Sequence, residues 1–164
     1  MRCKIIAVIV GEKDWHVSET SISRYYFEDL ALGMQASLVH RVSESDLTTF
    51  AALTGDRNPI HLDEEFAANS IFKGRVAHGM LTATFISAIL GTQLPGPGAI
   101  YIAQTLNFKG PVRIGDEVIA TARIAELFPE KKRALLTCDC SVEGKTVLEG
   151  DALLLVPARG PAAA

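Results

Sequence analysis

The rhythm of hydrophobic and polar positions changes twice along the chain. From Glu44 to Thr54, apolar Leu47, Phe50, Ala51 and Leu53 recur at helical spacing, and Ser43 or Ser45 can cap the start. Gly55-Asp56-Arg57-Asn58-Pro59 is then dense in turn residues, after which Asp63 predicts the N-cap of a short helix through Glu64, Glu65, Phe66, Ala67 and Ala68. The acidic pair in its first turn suits the positive end of the helix dipole. Residues 79–94 form the most apolar stretch. A helix apolar nearly all round belongs in the core, wrapped by other elements. Residues 36–42 predict a strand. Residues 99–108, 117–127, 133–142 and 146–156 are rich in Val, Ile, Leu and Thr and separated by turn residues, which predicts an antiparallel meander. The sum is an α+β protein in which strands curl around one buried helix.

Composition narrows this picture. With 164 residues and 48% hydrophobic content, one sizeable core and one domain are expected. The formal net charge of -3 shows no overall basic excess of the kind nucleic-acid backbones select, and no apolar run approaches the roughly 20 residues that span a bilayer. The opening Met1-Arg2-Cys3-Lys4 with the apolar residues after it imitates a signal peptide, but Glu12-Lys13-Asp14-Trp15 follows at once without a small-residue cleavage site. A short strand or an extension is the expectation there. Cys138 and Cys140 alternate along one strand face and read as reduced core residues of a cytoplasmic protein. No Cys or His stands near them at zinc spacing, so no metal is expected. The small residues of 157–164 suggest a loosely held tail.

Candidate chemistry gathers between Thr54 and Ser87. Asp56 and His61 lie five apart across a Pro59-stiffened turn, and general acid/base catalysis needs such a pair: two groups that exchange a proton near neutral pH in fixed geometry. The same string is good turn chemistry, with Asp56 capping local N–H groups and Asn58 before proline an ordinary turn dipeptide. Gly79 stands at the head of the apolar helix, where unpaired N–H groups and the dipole favour an oxyanion; alternatively, it only eases the turn. His78 is a candidate substrate contact, weighed against a core hydrogen bond. Ser87, one of the few hydroxyls in that helix, is a substrate contact only if the helix lines a pocket.

Read together, the run from Phe50 to Asp63 (Phe50-Ala51-Ala52-Leu53-Thr54-Gly55-Asp56-Arg57-Asn58-Pro59-Ile60-His61-Leu62-Asp63), followed by Val76-Ala77-His78-Gly79-Met80-Leu81, resembles the hydratase motif of the MaoC-like, (R)-specific enoyl-CoA hydratase family. The resemblance continues through Gly91-Thr92-Gln93-Leu94-Pro95-Gly96, residues 101–108 and Pro111-Val112-Arg113-Ile114-Gly115-Asp116-Glu117-Val118, covering roughly residues 27–156. It implies a hot-dog fold over 27–157, an antiparallel sheet wrapped around a long central helix, with 1–26 as an N-terminal extension. It also implies a homodimer or larger assembly and reversible syn hydration of a trans-2-enoyl-CoA. Asp56 and His61 then match the catalytic pair, Gly79 the donor to the thioester carbonyl, Asn58 a supporting position and Ser87 a serine near the site. No metal or redox cofactor is implied; CoA belongs to the substrate. A short acyl chain is expected because Met80, Leu81, Phe85 and Leu90 offer bulk to close a pocket. Lys109, Arg113, Lys131, Lys132 and Arg133 are candidates for the CoA phosphates, or plain solvated surface. A hot-dog acyl-CoA thioesterase and a non-catalytic acyl-thioester-binding domain are the rival readings.

Overall fold

A computed structural model describes residues 22–160. Trp15, the signal-like opening and residues 161–164 lie outside the described residues. The first strand, β1, is Gln35–Arg41, and the helix after it, α1, spans Glu44–Thr54. Ser43 rather than Ser45 caps α1: its hydroxyl accepts from the Asp46 N–H at 3.2 Å, while the Asp46 carboxylate accepts from the Ser43 N–H at 2.7 Å. Two short helices follow, α2 over Pro59–Leu62 and α3 over Glu64–Ala68, the latter capped by Asp63 as expected. The apolar helix α4 is Gly79–Thr92.

The remaining strands are β2 (Ile100–Gln104), β3 (Asn107–Phe108), β4 (Glu117–Phe128), β5 (Arg133–Val142) and β6 (Lys145–Leu155). They form one antiparallel sheet of order β1-β4-β5-β6-β2, with β3 also on β6. The meander therefore holds only for β4 to β6. The segment expected to precede β4 beside it crosses instead to the far side of β6, and β1 takes the place next to β4. That segment also splits in two, because the Thr105 hydroxyl accepts from the Asp151 N–H at 2.9 Å where a ladder carbonyl would otherwise stand.

Strict alternation sends Val118, Ala120, Ala122 and Ile124 of β4, and Ala134, Leu136, Cys138 and Cys140 of β5, inward against Leu81, Phe85, Ile86, Ile89 and Leu90 of α4. This is the hot-dog arrangement. Among the described residues the sheet covers α4 on one side only. Met80, Thr84, Ser87 and Gly91, one stripe along the helix, are exposed, so these residues do not wrap α4 all round.

Both ends of the described chain are tied to this core. Backbone N–H groups of Ser23, Tyr25 and Phe27 donate to Thr92, Pro95 and Pro157. In the tail, where a loose end is the expectation, Arg159 pairs with Asp29 at 2.6 and 2.8 Å and donates through its backbone to Glu28. No helix among the described residues is long and apolar enough to cross a membrane.

Candidate active site

The site is built where α1 stops. Gly55 ends that helix in the left-handed region at φ 79°, which glycine adopts without cost, and this turns the chain toward Asp56. One Asp56 oxygen accepts from the Asn58 N–H at 3.2 Å, and the Asn58 carbonyl oxygen of the side chain accepts from the Ile60 N–H at 3.2 Å. Asn58 thereby caps α2, and Pro59 occupies the first helical position, where a missing N–H costs nothing. The turn is thus good local chemistry and a rigid mount at once. The α2 helix lifts His61 over the chain entering α4, and the His61 Nδ1–H donates to the Val76 carbonyl at 2.8 Å. A carbonyl only accepts, so Nδ1 carries the proton and Nε2 presents its lone pair, the tautomer a general base needs. The strand of chain bearing Val76 is clamped in turn: Arg75 holds Glu44 of α1 at 2.8 and 2.7 Å and Glu64 of α3 at 3.2 Å.

His61 faces a cavity of about 480 Å³ that also touches Asn58, Gly79, Thr82, Phe108 and Lys109. Burial holds its imidazole below the ordinary 6.5; His78 presses the same way, against the Val76 hydrogen bond and the Asp56 charge. At the cavity wall, Gly79 opens α4, and a Cβ there would stand 2.8 Å from the Phe108 ring. Only glycine leaves room for both that ring and a ligand approaching the first amides of α4. Donor atoms of Asp56, His61 and His78 all lie within 4.8 Å of one another. The two imidazoles are stacked, however, with centroids 3.8 Å apart and planes 29° from parallel, so their in-plane lone pairs do not converge on one point. His61 Nδ1 and His78 Nε2 are moreover already bonded to carbonyls. The set suits proton transfer rather than a shared metal ion.

The sequence profile of the MaoC like domain matches residues 31–136. An (R)-specific enoyl-CoA hydratase from Rhodospirillum rubrum is 54% identical over 144 residues, covering 88% of this chain and 100% of its own. A 3-hydroxybutyryl-CoA dehydratase from Methylorubrum extorquens is 58% identical over 80% of this chain and 84% of its own. The chain belongs to the MaoC-like family. Among solved structures, the unliganded R-hydratase PhaJ1 of Pseudomonas aeruginosa matches with a TM-score of 0.80 at 39% identity, covering 87% of this chain and 94% of that one.

In this MaoC-like chain, the sequence candidates fall into three places. Asn58, His61 and Gly79 meet at one cavity, with Asp56 exposed beside them. His78 is 1% exposed and lies behind His61, its Nε2–H donating to the Asp56 backbone carbonyl at 3.0 Å. Ser87 stands apart, on a shallow groove with Met80, Ala83, Thr84 and Tyr101 along the open stripe of α4. The bulk expected to close the pocket does not line it: Leu81, Phe85 and Leu90 point into the sheet core and Met80 outward, and the apolar wall comes from Ile60, Phe72, Val76, Val112, Val147 and Leu148. Of the candidate phosphate-binding cations, Lys109 reaches the cavity but pairs with Glu149 at 2.7 Å, and Lys132 pairs with Glu28 at 3.4 Å. Two contributors escape a reading of the sequence: the Val76 carbonyl, which has no side-chain signature, and Phe108, whose place over Gly79 depends on the crossing of β3 to β6.

Proposed function

We propose that this chain is an (R)-specific enoyl-CoA hydratase that adds water reversibly to a trans-2-enoyl-CoA. The observation that carries the reading is a His61 imidazole with its Nε2 lone pair free, beside the Asp56 carboxylate and opening on a cavity walled by the start of α4. Asp56 and His61 together hold one water. His61 takes a proton from it as the oxygen bonds to C3, the electron pair of the double bond moves onto the thioester oxygen, and the Gly79 N–H with the α4 dipole stabilises that enolate. The proton then passes from His61 to C2 on the same face, which gives syn addition and restores the base. Asn58 supports the site by holding the turn between its two catalytic groups. These steps ask for no metal or redox cofactor.

The reading extends to a homodimer. β2 is an outer strand of the sheet with Ile100 and Ile102 exposed, and Leu53 and Met80 near the site are exposed as well, apolar surface that a second copy would cover. A particle of twice the chain mass by light scattering is the expected result. An acyl chain reaches Ser87 only by running along the groove on α4, not into the 480 Å³ cavity. The free thiols of Cys138 and Cys140 are in keeping with a cytoplasmic setting.

The test is the loss of conjugated enoyl absorbance from crotonyl-CoA, with chiral analysis of the product. Rapid loss with (R)-3-hydroxybutyryl-CoA formed supports the hydratase. Release of free CoA thiol instead would make it a thioesterase, and no reaction with short, long, branched or carrier-protein-bound enoyl thioesters would leave a binding domain.

A further inference from the structure

His78 is buried to 1% exposure, yet among the described residues its Nδ1 has no hydrogen-bond partner. An unpaired polar atom at that depth costs about 1–3 kcal/mol, and an apolar side chain would fill the space without it. The position of the ring explains why an imidazole stands there. One face carries the His61 ring at 3.8 Å between centroids, and the Phe50 ring of α1 lies tilted at 5.0 Å. The edge donates Nε2–H to the Asp56 carbonyl at 3.0 Å. The His78 backbone meanwhile opens α4, its carbonyl accepting from Leu81 and Thr82. One residue therefore touches the Asp56 turn, the His61 ring and the helix start that presents Gly79. The bond to Asp56 fixes the tautomer, and the unpaired Nδ1 is its consequence: the nitrogen opposite a donating Nε2–H must be the bare one.

We infer that His78 is a positioning residue, which sets Asp56 and His61 in register by holding the Asp56 carbonyl on its Nε2–H and the His61 ring on its face. The inference rests on the hydratase reading for its activity readout. A packing residue would be replaced best by phenylalanine, which keeps the stacked ring. A positioning residue that works through its hydrogen bond would be replaced better by glutamine, which keeps a donor of similar reach.

The experiment compares crotonyl-CoA hydration by wild type, His78→Phe and His78→Gln, each checked by circular dichroism. A small misplacement of reacting groups costs on the order of 10²-fold. His78→Phe is therefore expected to lose about 10- to 10²-fold in kcat with KM unchanged, and His78→Gln to recover most of that loss. Wild-type kcat in His78→Phe, a raised KM at full kcat, or a His78→Gln no better than His78→Phe would each overturn the inference. Should neither variant fold, the wild-type protein decides: ring-nitrogen NMR at pH 7.5 is expected to show the His78 proton on Nε2, and a proton on Nδ1 overturns it. Wild type inactive on every enoyl thioester defeats the hydratase reading instead, and the tautomer measurement then still decides whether His78 holds the Asp56 turn.

Discussion

The strands and the site segment both bury groups capable of nucleophilic or proton-transfer chemistry, and they treat them in opposite ways. On β5, burial pushes the Cys138 and Cys140 thiols up to about 12, with the nearby Asp139 and Asp151 charges adding to the effect at Cys138 and Asp139 at Cys140. On α2, burial also disfavours the charged form of His61, but the neutral form it favours keeps the lone pair that a general base needs. A buried thiol loses its thiolate, whereas a buried imidazole keeps its lone pair. Access completes the contrast, since His61 borders the cavity and Cys140 is wholly enclosed.

The largest effect expected follows from removing the pair itself. Asp56→Ala or His61→Ala should lower kcat about 10²- to 10⁴-fold while leaving circular dichroism unchanged, the range usual for lost acid/base catalysis. Near-wild-type turnover in either variant would break the comparison at its centre. The converse experiment is in the sheet. Leu136, fully buried on β5, should cost about 2–5 kcal/mol of stability when cut to alanine, read as about 2–4 °C of Tm per kcal/mol, with kcat of the folded fraction unchanged. A kcat loss there without destabilisation would mean that sheet and site are not separable.

This division matches what could be read from the sequence. Local rules identified the span of α1, because the apolar spacing and the turn residues after Thr54 agree, while leaving Ser43 and Ser45 both open as its cap; they identified β5 through its alternation. On local rules the Asp56 and His61 string is equally ordinary turn chemistry, and its reading as an acid/base pair rests on the long ordered resemblance around it, not on the spacing or the proline. The strand order was not legible, since nothing in residues 99–108 says whether they pair with β4 or β6; that depends on contacts distant in sequence. The exposed stripe on α4 escaped for a similar reason. Hydrophobicity reports that Met80 avoids water but not whether its own chain or another provides the cover. His78 was ambiguous because a substrate contact and a core hydrogen-bonding histidine have the same sequence signature; its burial behind His61 and its bond to the Asp56 carbonyl favour the second.

A pH profile sharpens the comparison with a smaller effect. The fold lowers the His61 pKa, so the neutral base persists below the ordinary 6.5, and kcat/KM for hydration should fall on the acid side only below that value. The stability linkage has the same direction: the fold favours neutral His61, so this contribution is complete above the free-imidazole pKa and is lost as pH drops through the lowered one. An acid limb centred above 6.5 would place the titrating base elsewhere or leave His61 without its burial.

The smallest effect tests the inert side. Thiol alkylation proceeds through the thiolate, and at pH 7.5 a thiol with a pKa of about 12 holds almost none. Iodoacetamide should therefore leave the Cys138 and Cys140 peptides unmodified by mass spectrometry in the native protein, with hydration activity retained, and should label both once the chain is unfolded. Labelling of either cysteine in the native state would mean that the sheet opens on the timescale of alkylation. The rigid interior that supports α4, and through it Gly79 and His78, would then be a less stable platform than the packing of β4 and β5 against that helix implies.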